Sequence, residues 1–270
     1  MLSELGQIGP IVLRTYSLIL SLSIVLSLAL LAWQGQRQED AALAWLDSGL
    51  AGVLLGLIGA RALHVTLFWS YFVDHQNEIW QIWRGGLNWH GALIGGLVGV
   101  ALMANLRKAS MARITDVLAF LLPIGGLFIH LGCLSTRCGH GQEVGRLVDP
   151  SGLIVMELPD FYGVIAPRIA SQLYGMILSA IVLGIAIALA LMIRREGLRL
   201  WPIVSLLGLG AFAIGFTRGD PIFFWGTLRA DQVFDLVIVG LGVVSFIIAL
   251  VLPAPKGQLR SSRPSREASA

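Results

Sequence analysis

Charged residues are scarce in this chain. Asp, Glu, Lys and Arg make up 13% of its 270 residues, about half of their usual share in a soluble domain. Cysteine is also rare. The chain has two cysteines, and a single disulfide cannot hold a chain of this length together. The net charge of +3 is small and scattered, and it gives no indication of a nucleic-acid partner. These shortages exclude a soluble enzyme, a disordered chain and a disulfide scaffold.

Apolar residues dominate the sequence instead. They form 56% of the chain, and the mean hydropathy is +0.79. A helix needs roughly 20 apolar residues to cross a bilayer, and seven segments approach that length. They lie at about 11–33, 43–72, 89–106, 114–133, 169–193, 201–217 and 232–252. The sequence therefore predicts an all-α, polytopic membrane protein with about seven transmembrane helices.

Lys and Arg are distributed unequally between the two sets of connections. One side, which includes the C-terminal tail, carries eleven of them, and the other carries six. Because basic loops stay in the cytoplasm, we expect the N-terminus outside and the C-terminus in the cytoplasm. We predict one transmembrane domain over residues 1–254, with a long outward loop at about 134–168. Residues 255–270 are polar and are predicted to form a disordered cytoplasmic tail.

Small-residue spacing marks two of the predicted helices. Glycines recur every fourth residue at Gly52 and Gly56, and again at Gly91, Gly95 and Gly99. This pattern is typical of helices that approach each other closely in a membrane. Glycine-rich backbone beside a headgroup-binding cavity is a compatible second interpretation.

Two ionisable residues lie in or beside the apolar segments, where charge is expensive. Arg61 follows Gly59 and Ala60 within the second segment; it is either an arginine that snorkels to the interface or a clamp for a phosphate. His90 begins the third segment, at the positive end of a helix dipole. That position disfavours the imidazolium and suits a neutral imidazole that accepts a proton.

The end of the fourth segment carries metal-ligand residue types. His130, Cys133, Cys138 and His140 lie within eleven residues, but their spacing matches no standard zinc pattern. The two cysteines could instead form a disulfide, or the segment could be a small-residue loop at a lipid site. Sequence alone leaves these three alternatives open.

Four motifs, taken in order, resemble the prolipoprotein diacylglyceryl transferase family. Residues 9–16 resemble its opening G-P-x-x-x-R-x-Y, and residues 59–65 resemble G-A-R-x-x-Y-V. Residues 83–95, W-R-G-G-L-N-W-H-G-A-L-I-G, are similar to W-x-G-G-x-S-F-H-G-G-L-x-G. Residues 171–174 match the S-Q-L-Y of the family. The resemblance extends over about 9–235.

The chain departs from the family at several charged positions. In the signature G-R-I-G-N-F-x-N-x-E, Cys133 stands at the arginine and Thr136 at the first asparagine. In R-F-x-x-E-F-F-R, Ala211 and Gly215 replace the first arginine and the glutamate, and only Arg218 survives. The 132–141 segment looks like a cysteine-bearing version found in divergent members.

The resemblance implies a reaction in which a diacylglyceryl group moves from phosphatidylglycerol to the lipobox cysteine of a lipoprotein precursor. It implies a multi-pass protein of the bacterial plasma membrane and no cofactor. The implied partners are phosphatidylglycerol, the precursor signal peptide and membrane lipids. We expect His90 to be the base that activates the thiol, with Arg218 as the second catalytic residue and Arg61 on the phosphate.

Other polar residues are expected to assist at the same site. Tyr16 is predicted to orient a headgroup, and His140 to contact substrate. Arg84 and Arg137 are predicted to help bind the phosphate, and either of these or Arg229 could supply the charge that the family arginine provides. The alternatives are a divergent relative that uses another acceptor, a lipid-binding or transport protein, and a redox or metal protein.

Overall fold

The computed structural model describes residues 4–8, 11–38, 42–136, 138–145, 151–160 and 162–252. These residues form eight helices: α1 (Thr15–Arg37), α2 (Ala42–Leu67), α3 (Trp69–Phe72), α4 (Trp89–Leu106), α5 (Met111–Ser135), α6 (Ser171–Met192), α7 (Leu200–Gly215) and α8 (Ala230–Val251). The predicted tail at 255–270 lies outside the described residues.

All seven predicted apolar segments are helical. Six of the helices, α1, α2, α4, α5, α6 and α8, are long and apolar enough to cross a membrane. The seventh, α7, is apolar but has 16 residues. The protein is therefore mostly helical and polytopic, as the sequence predicts.

The described residues also form three short antiparallel hairpins that the sequence analysis did not predict: one precedes α1, one connects α5 to α6 and one connects α7 to α8. Their strands are β1 (Glu4–Ile8), β2 (Ile11–Arg14), β3 (Val155–Pro159), β4 (Ile165–Ile169), β5 (Phe224–Trp225) and β6 (Leu228–Arg229). Strand β2 pairs with β1, so α1 begins at Thr15 and the prediction of a helix from residue 11 is wrong. Strands of two to five residues are too short to give a clear alternation in sequence.

The candidate site residues that the structure describes lie at one end of the helix bundle. At this end α4, α6 and α8 begin, and α7 finishes. Ser171 at the start of α6 is hydrogen-bonded through its hydroxyl to the Thr217 hydroxyl, just after α7, at 2.9 Å. His90 at the start of α4 contacts Asp235 in the first turns of α8. We call this end the hairpin end, because β3 to β6 lie in its connections.

Helices α2 and α4 approach each other so closely that several positions have no room for a side chain. A Cβ atom on Gly59 would lie 2.4 Å from the Gly91 carbonyl oxygen, and one on Gly95 would lie 2.2 Å from the Leu55 carbonyl oxygen. The glycine spacing therefore has the packing role that the sequence indicates. This contact fixes the start of α4, and with it His90, against α2.

We predict that Gly95→Ala destabilises the protein and that Gly240→Ala does not. The added methyl at 95 clashes with the Leu55 carbonyl, whereas a Cβ at 240, on α8, meets nothing within 4 Å. Overpacking of this kind costs about 1–3 kcal/mol. The measurement is the free energy of unfolding in detergent, followed by circular dichroism. Equal stability of the two variants would contradict the packing account.

Candidate functional site

His90 is completely buried and both of its ring nitrogens have partners. Asn88 caps α4, and its Oδ1 accepts from the His90 backbone N–H and from Nδ1, both at 2.9 Å. Nε2 lies 2.8 Å from Asp235 Oδ1 on α8. Because an amide oxygen only accepts hydrogen bonds, Nδ1 of His90 carries a proton, and a second proton lies in the short contact between Nε2 and the Asp235 carboxyl group.

This geometry differs from the sequence expectation of a neutral imidazole with a free lone pair. The reason is Asp235, whose carboxyl group is hydrogen-bonded to Nε2. The carboxylate is 145 residues away along the chain, so no local pattern around His90 could indicate it.

The other catalytic candidate, Arg218, lies in a network of alternating charges. Its Nε and Nη2 donate to the two oxygens of Asp220, at 2.8 and 2.7 Å. Its Nη1 lies 3.5 Å from Asp231 Oδ2. Arg229 contacts the same two carboxylates, with 3.1 Å from Nε to Asp231 Oδ1 and 3.4 Å from Nη2 to Asp220 Oδ1.

Charge balance in this region agrees with the hydrogen bonds of His90. Three carboxyl groups and two guanidiniums lie together with His90, so the group is neutral when the His90–Asp235 pair holds two protons, one on Nδ1 and one between Nε2 and the carboxyl group. Burying an uncompensated charge would be far more costly. We call this group the charge cluster; its members are His90, Arg218, Asp220, Arg229, Asp231 and Asp235.

The arginines determine the ionisation of Asp220, which lies outside the helices. Burial alone would raise the pKa of its carboxyl, but the charge and hydrogen bonds of Arg218, and the charge of Arg229, hold that pKa below its ordinary value. Burial likewise opposes the charge of Arg218, yet Asp220 and Asp231 raise its pKa. Both partners therefore stay charged at neutral pH.

The segment 138–145 packs directly against Arg218. Gly141 pairs with Arg218 in an antiparallel bridge, and the Gly219 N–H donates to the His140 carbonyl at 2.9 Å. A Cβ on Gly141 would lie 2.0 Å from the Ile169 carbonyl oxygen, so only glycine fits between β4 and the Arg218 backbone. This close approach buries His140, which is 3% exposed.

Cys133 and Cys138 form a disulfide, which anchors this segment to the end of α5. Of the three alternatives from the sequence, the structure shows this one. Both sulfurs are bonded to each other, so they are not thiolate ligands for a metal. Among the described residues there is no group of three or more His, Cys, Asp or Glu that could hold a metal ion.

Arg61 contacts a different part of the hairpin end. Its Nε donates to the Ile79 carbonyl at 2.8 Å, Nη1 to Gly85 at 2.8 Å and to Gly86 at 3.2 Å, and Nη2 to the Glu78 carbonyl. The guanidinium is thus occupied by the backbone of the connection between α3 and α4. The structure does not bring Arg61 into the charge cluster, although it keeps Arg61 buried.

Two of the remaining candidates lie at the same end of the bundle in the part of the chain that the structure describes. Tyr16 is half-buried on α1, and its ring packs on Gly132 of α5, where a Cβ would lie 2.8 Å from the ring. The backbone of Arg84 ends a 3₁₀ turn that begins at Ile82. Arg137 lies outside the described residues.

Sequence reasoning missed two of the three carboxylates of the charge cluster, Asp231 and Asp235. Asp231 and Asp235 are four residues apart in α8, so they lie on one face of an otherwise apolar helix. Ionisable residues within a membrane span indicate a functional site by themselves, and this rule applied to α8 would have indicated Asp231 and Asp235.

Comparison with known proteins follows the same motifs. The family model described as prolipoprotein diacylglyceryl transferase matches residues 4–248. Proteins named phosphatidylglycerol–prolipoprotein diacylglyceryl transferase are similar along nearly the whole length. That of Symbiobacterium thermophilum is 30% identical over 93% of this chain and 94% of its own. That of Rhodopseudomonas palustris is 30% identical over 97% and 93%, and that of Bacillus velezensis is 26% identical over 89% of each.

The match extends from β1 into the last turns of α8 and includes every described member of the charge cluster. The chain therefore belongs to the prolipoprotein diacylglyceryl transferase family.

Proposed function

We propose that this protein transfers a diacylglyceryl group from phosphatidylglycerol to the cysteine thiol of a lipoprotein precursor. The charge cluster, buried at one end of a membrane helix bundle in a chain of this family, is the observation that carries the proposal. Membrane lipid and a membrane-anchored signal peptide are both substrates that such a bundle can receive from its lipid-facing sides.

The reaction makes definite demands on the protein. The cysteine sulfur attacks the glyceryl carbon bonded to phosphate, a C–S bond forms, and the C–O bond to phosphate breaks. The thiolate is the nucleophile, and negative charge accumulates on the departing glycerol phosphate. Preorganised cations close to that phosphate therefore stabilise the transition state.

His90 and Arg218 are the proposed catalytic residues. Arg218 presents planar N–H donors that suit a phosphate, and Asp220 holds the guanidinium in one orientation. His90 contributes a second cation, which Asp235 fixes in place. Arg229 contacts the same carboxylates as Arg218. We propose that it supplies the positive charge of the family arginine that Cys133 replaces.

Five further residues are proposed to bind substrate. Tyr16 orients the headgroup from α1, and His140 contacts substrate from the segment beside Arg218. Arg84 and Arg137 supply positive charge for the phosphate. Arg61 acts indirectly, because it holds the connection between α3 and α4 by four backbone carbonyls.

We further propose seven spans, with the N-terminus outside and the C-terminus in the cytoplasm of a bacterial plasma membrane. Helix α7 supports this count, because α6 begins and α7 ends at the hairpin end, where Ser171 meets Thr217. The opposite end carries Arg113 and Arg199 in ion pairs with Glu196 and Asp116. Its greater share of basic residues faces the cytoplasm.

The purified protein in phosphatidylglycerol nanodiscs should form a thioether on a lipobox peptide. We expect Arg218→Gln to lower kcat/KM by about 10²–10³-fold, since one preorganised cation is lost. Arg218→Lys should recover only part of the loss, because an ammonium lacks the planar pair of N–H donors that binds two phosphate oxygens.

The matched control is Arg113→Gln, at the opposite end of the helix bundle. The measurement is mass spectrometry of the peptide together with release of glycerol phosphate. If folded Arg218→Gln matches the control, Arg218 is not catalytic; if wild type makes no thioether, the proposed function fails.

Reporter fusions test the topology. Alkaline phosphatase, which is active only outside the cytoplasm, should be active when fused after residue 160 and inactive when fused after residue 108. A green fluorescent protein at the C-terminus should fluoresce, since it folds in the cytoplasm. The reverse pattern of phosphatase activity would overturn the proposed orientation, and a non-fluorescent C-terminal fusion with normal expression would overturn the odd number of spans.

A further inference from the structure

Arg229 is the more deeply buried of the two arginines in the charge cluster. Its side chain is 7% exposed, against 31% for that of Arg218. A guanidinium has five N–H donors and no acceptor, so its hydrogen bonds can be counted against the acceptors around it. The result of this count differs between the two arginines.

The acceptors around Arg229 are as many as its donors. Nε and Nη2 lie 3.1 and 3.2 Å from the two oxygens of Asp231, and Nη2 also lies 3.4 Å from Asp220 Oδ1. Nη1 lies 3.4 and 3.2 Å from the backbone carbonyl oxygens of Arg218 and Asp220. These described residues alone occupy all five N–H groups, so Arg229 has no donor left for a substrate.

Arg218 keeps donors that the described part of the chain does not use. Nε and Nη2 each donate once to Asp220, and Nη1 lies 3.5 Å from one oxygen of Asp231. These contacts account for at most three of the five N–H groups. One N–H on Nη1 and one on Nη2 remain, and two such donors can bind two oxygens of one phosphate.

The contacts of Arg229 lead to Arg218 by two routes. Through Nη1 it holds the backbone carbonyls of residues 218 and 220, and thus the turn on which Asp220 is placed. Through Nε and Nη2 it holds the carboxylates of Asp220 and Asp231, which are the two that contact the Arg218 guanidinium. A displacement of Arg229 would therefore move every carboxylate that orients Arg218.

Arg229 itself is fixed by contacts to α7 and α8. Its backbone N–H donates to Gln232 Oε1 at 3.0 Å, and Gln232 Nε2 donates to the Phe212 carbonyl on α7 at 3.0 Å. A Cβ on Gly215 would lie 2.6 Å from Gln232 Cγ. The glycine that replaces the family glutamate thus leaves the room that Gln232 needs to hold Arg229.

We infer that Arg229 is a positioning residue, which orients the Arg218 guanidinium for the leaving phosphate and does not bind the phosphate itself. This inference rests on the proposed function. The positive charge of Arg229 acts on Asp220 and Asp231, which without it would be undercompensated in a buried site. Of the two arginines, Arg218 is the one that donates to the phosphate.

The first test measures how much the planar donor pair of Arg218 is worth with and without Arg229. In otherwise wild-type protein, Arg218→Lys should lower kcat/KM for thioether formation at least about tenfold, because the ammonium lacks that pair. Arg229→Gln should lower it about 10–10²-fold. In the Arg229→Gln background, Arg218→Lys should cost less than about threefold, because the guanidinium is no longer oriented.

A double-mutant cycle provides the second test. Residues that act as a unit are not additive, so Arg218→Gln/Arg229→Gln should have a kcat/KM within about threefold of that of Arg218→Gln. An arginine that contacted the phosphate independently would instead lower it by the product of the two single effects. The control background is Arg113→Gln, in which Arg218→Lys should keep its full cost.

Folding is checked separately, because Arg229→Gln leaves Asp231 with less compensating charge. Arg229→Gln/Asp231→Asn removes both charges of the pair and should give the same loss of the Arg218→Lys cost. Circular dichroism in detergent reports the folded fraction of each variant. A variant that only unfolds in part would lower every rate equally and would leave the cost of Arg218→Lys unchanged.

Three results would overturn the inference. They are wild-type activity of Arg229→Gln, an undiminished cost of Arg218→Lys in both folded Arg229→Gln backgrounds, and a double variant whose loss equals the product of the single losses. Wild-type protein that forms no thioether would refute the proposed function instead.

Discussion

The contact between His90 and Asp235 joins the start of α4 to the start of α8, and the rest of the site depends on it. A buried ion pair gains little net stability, because desolvation offsets the Coulomb attraction. Removing one partner, however, leaves a charge uncompensated and costs about 3–5 kcal/mol. The pair therefore acts mainly as a constraint: Asp235 fixes the protonation and the orientation of His90, and the glycine contact between α2 and α4 fixes the helix that carries it.

The two buried histidines at the hairpin end have different surroundings. His90 is hydrogen-bonded through both ring nitrogens, to the Asn88 amide oxygen and to the Asp235 carboxyl group. His140 is hydrogen-bonded through Nδ1 to the Gly141 carbonyl. Arg218 is held by Asp220 and Asp231 in the same charge cluster as His90, and a phosphate leaving group needs such a cation.

The sequence predicts the helices well, because long apolar runs and glycine spacing depend on the bilayer and on local packing. Each of the seven segments contains a helix, and the predicted close approach at Gly91, Gly95 and Gly99 is confirmed. Contacts between residues that are far apart in the sequence could not be predicted from local patterns. Asp235 is hydrogen-bonded to the His90 nitrogen that was expected to be free, and backbone carbonyls around Arg61 occupy a guanidinium that was expected to bind phosphate. The short hairpins escaped prediction because strands of a few residues carry little periodic signal.

The central claim is that His90 is an imidazolium held by Asp235, and nitrogen NMR of the ring tests it most directly. Protein labelled with ¹⁵N-histidine in nanodiscs, with His90→Gln for assignment, should show both His90 nitrogens protonated near neutral pH. In Asp235→Asn one of them should lose its proton. A wild-type spectrum with one unprotonated His90 nitrogen, unchanged in Asp235→Asn, would contradict the account.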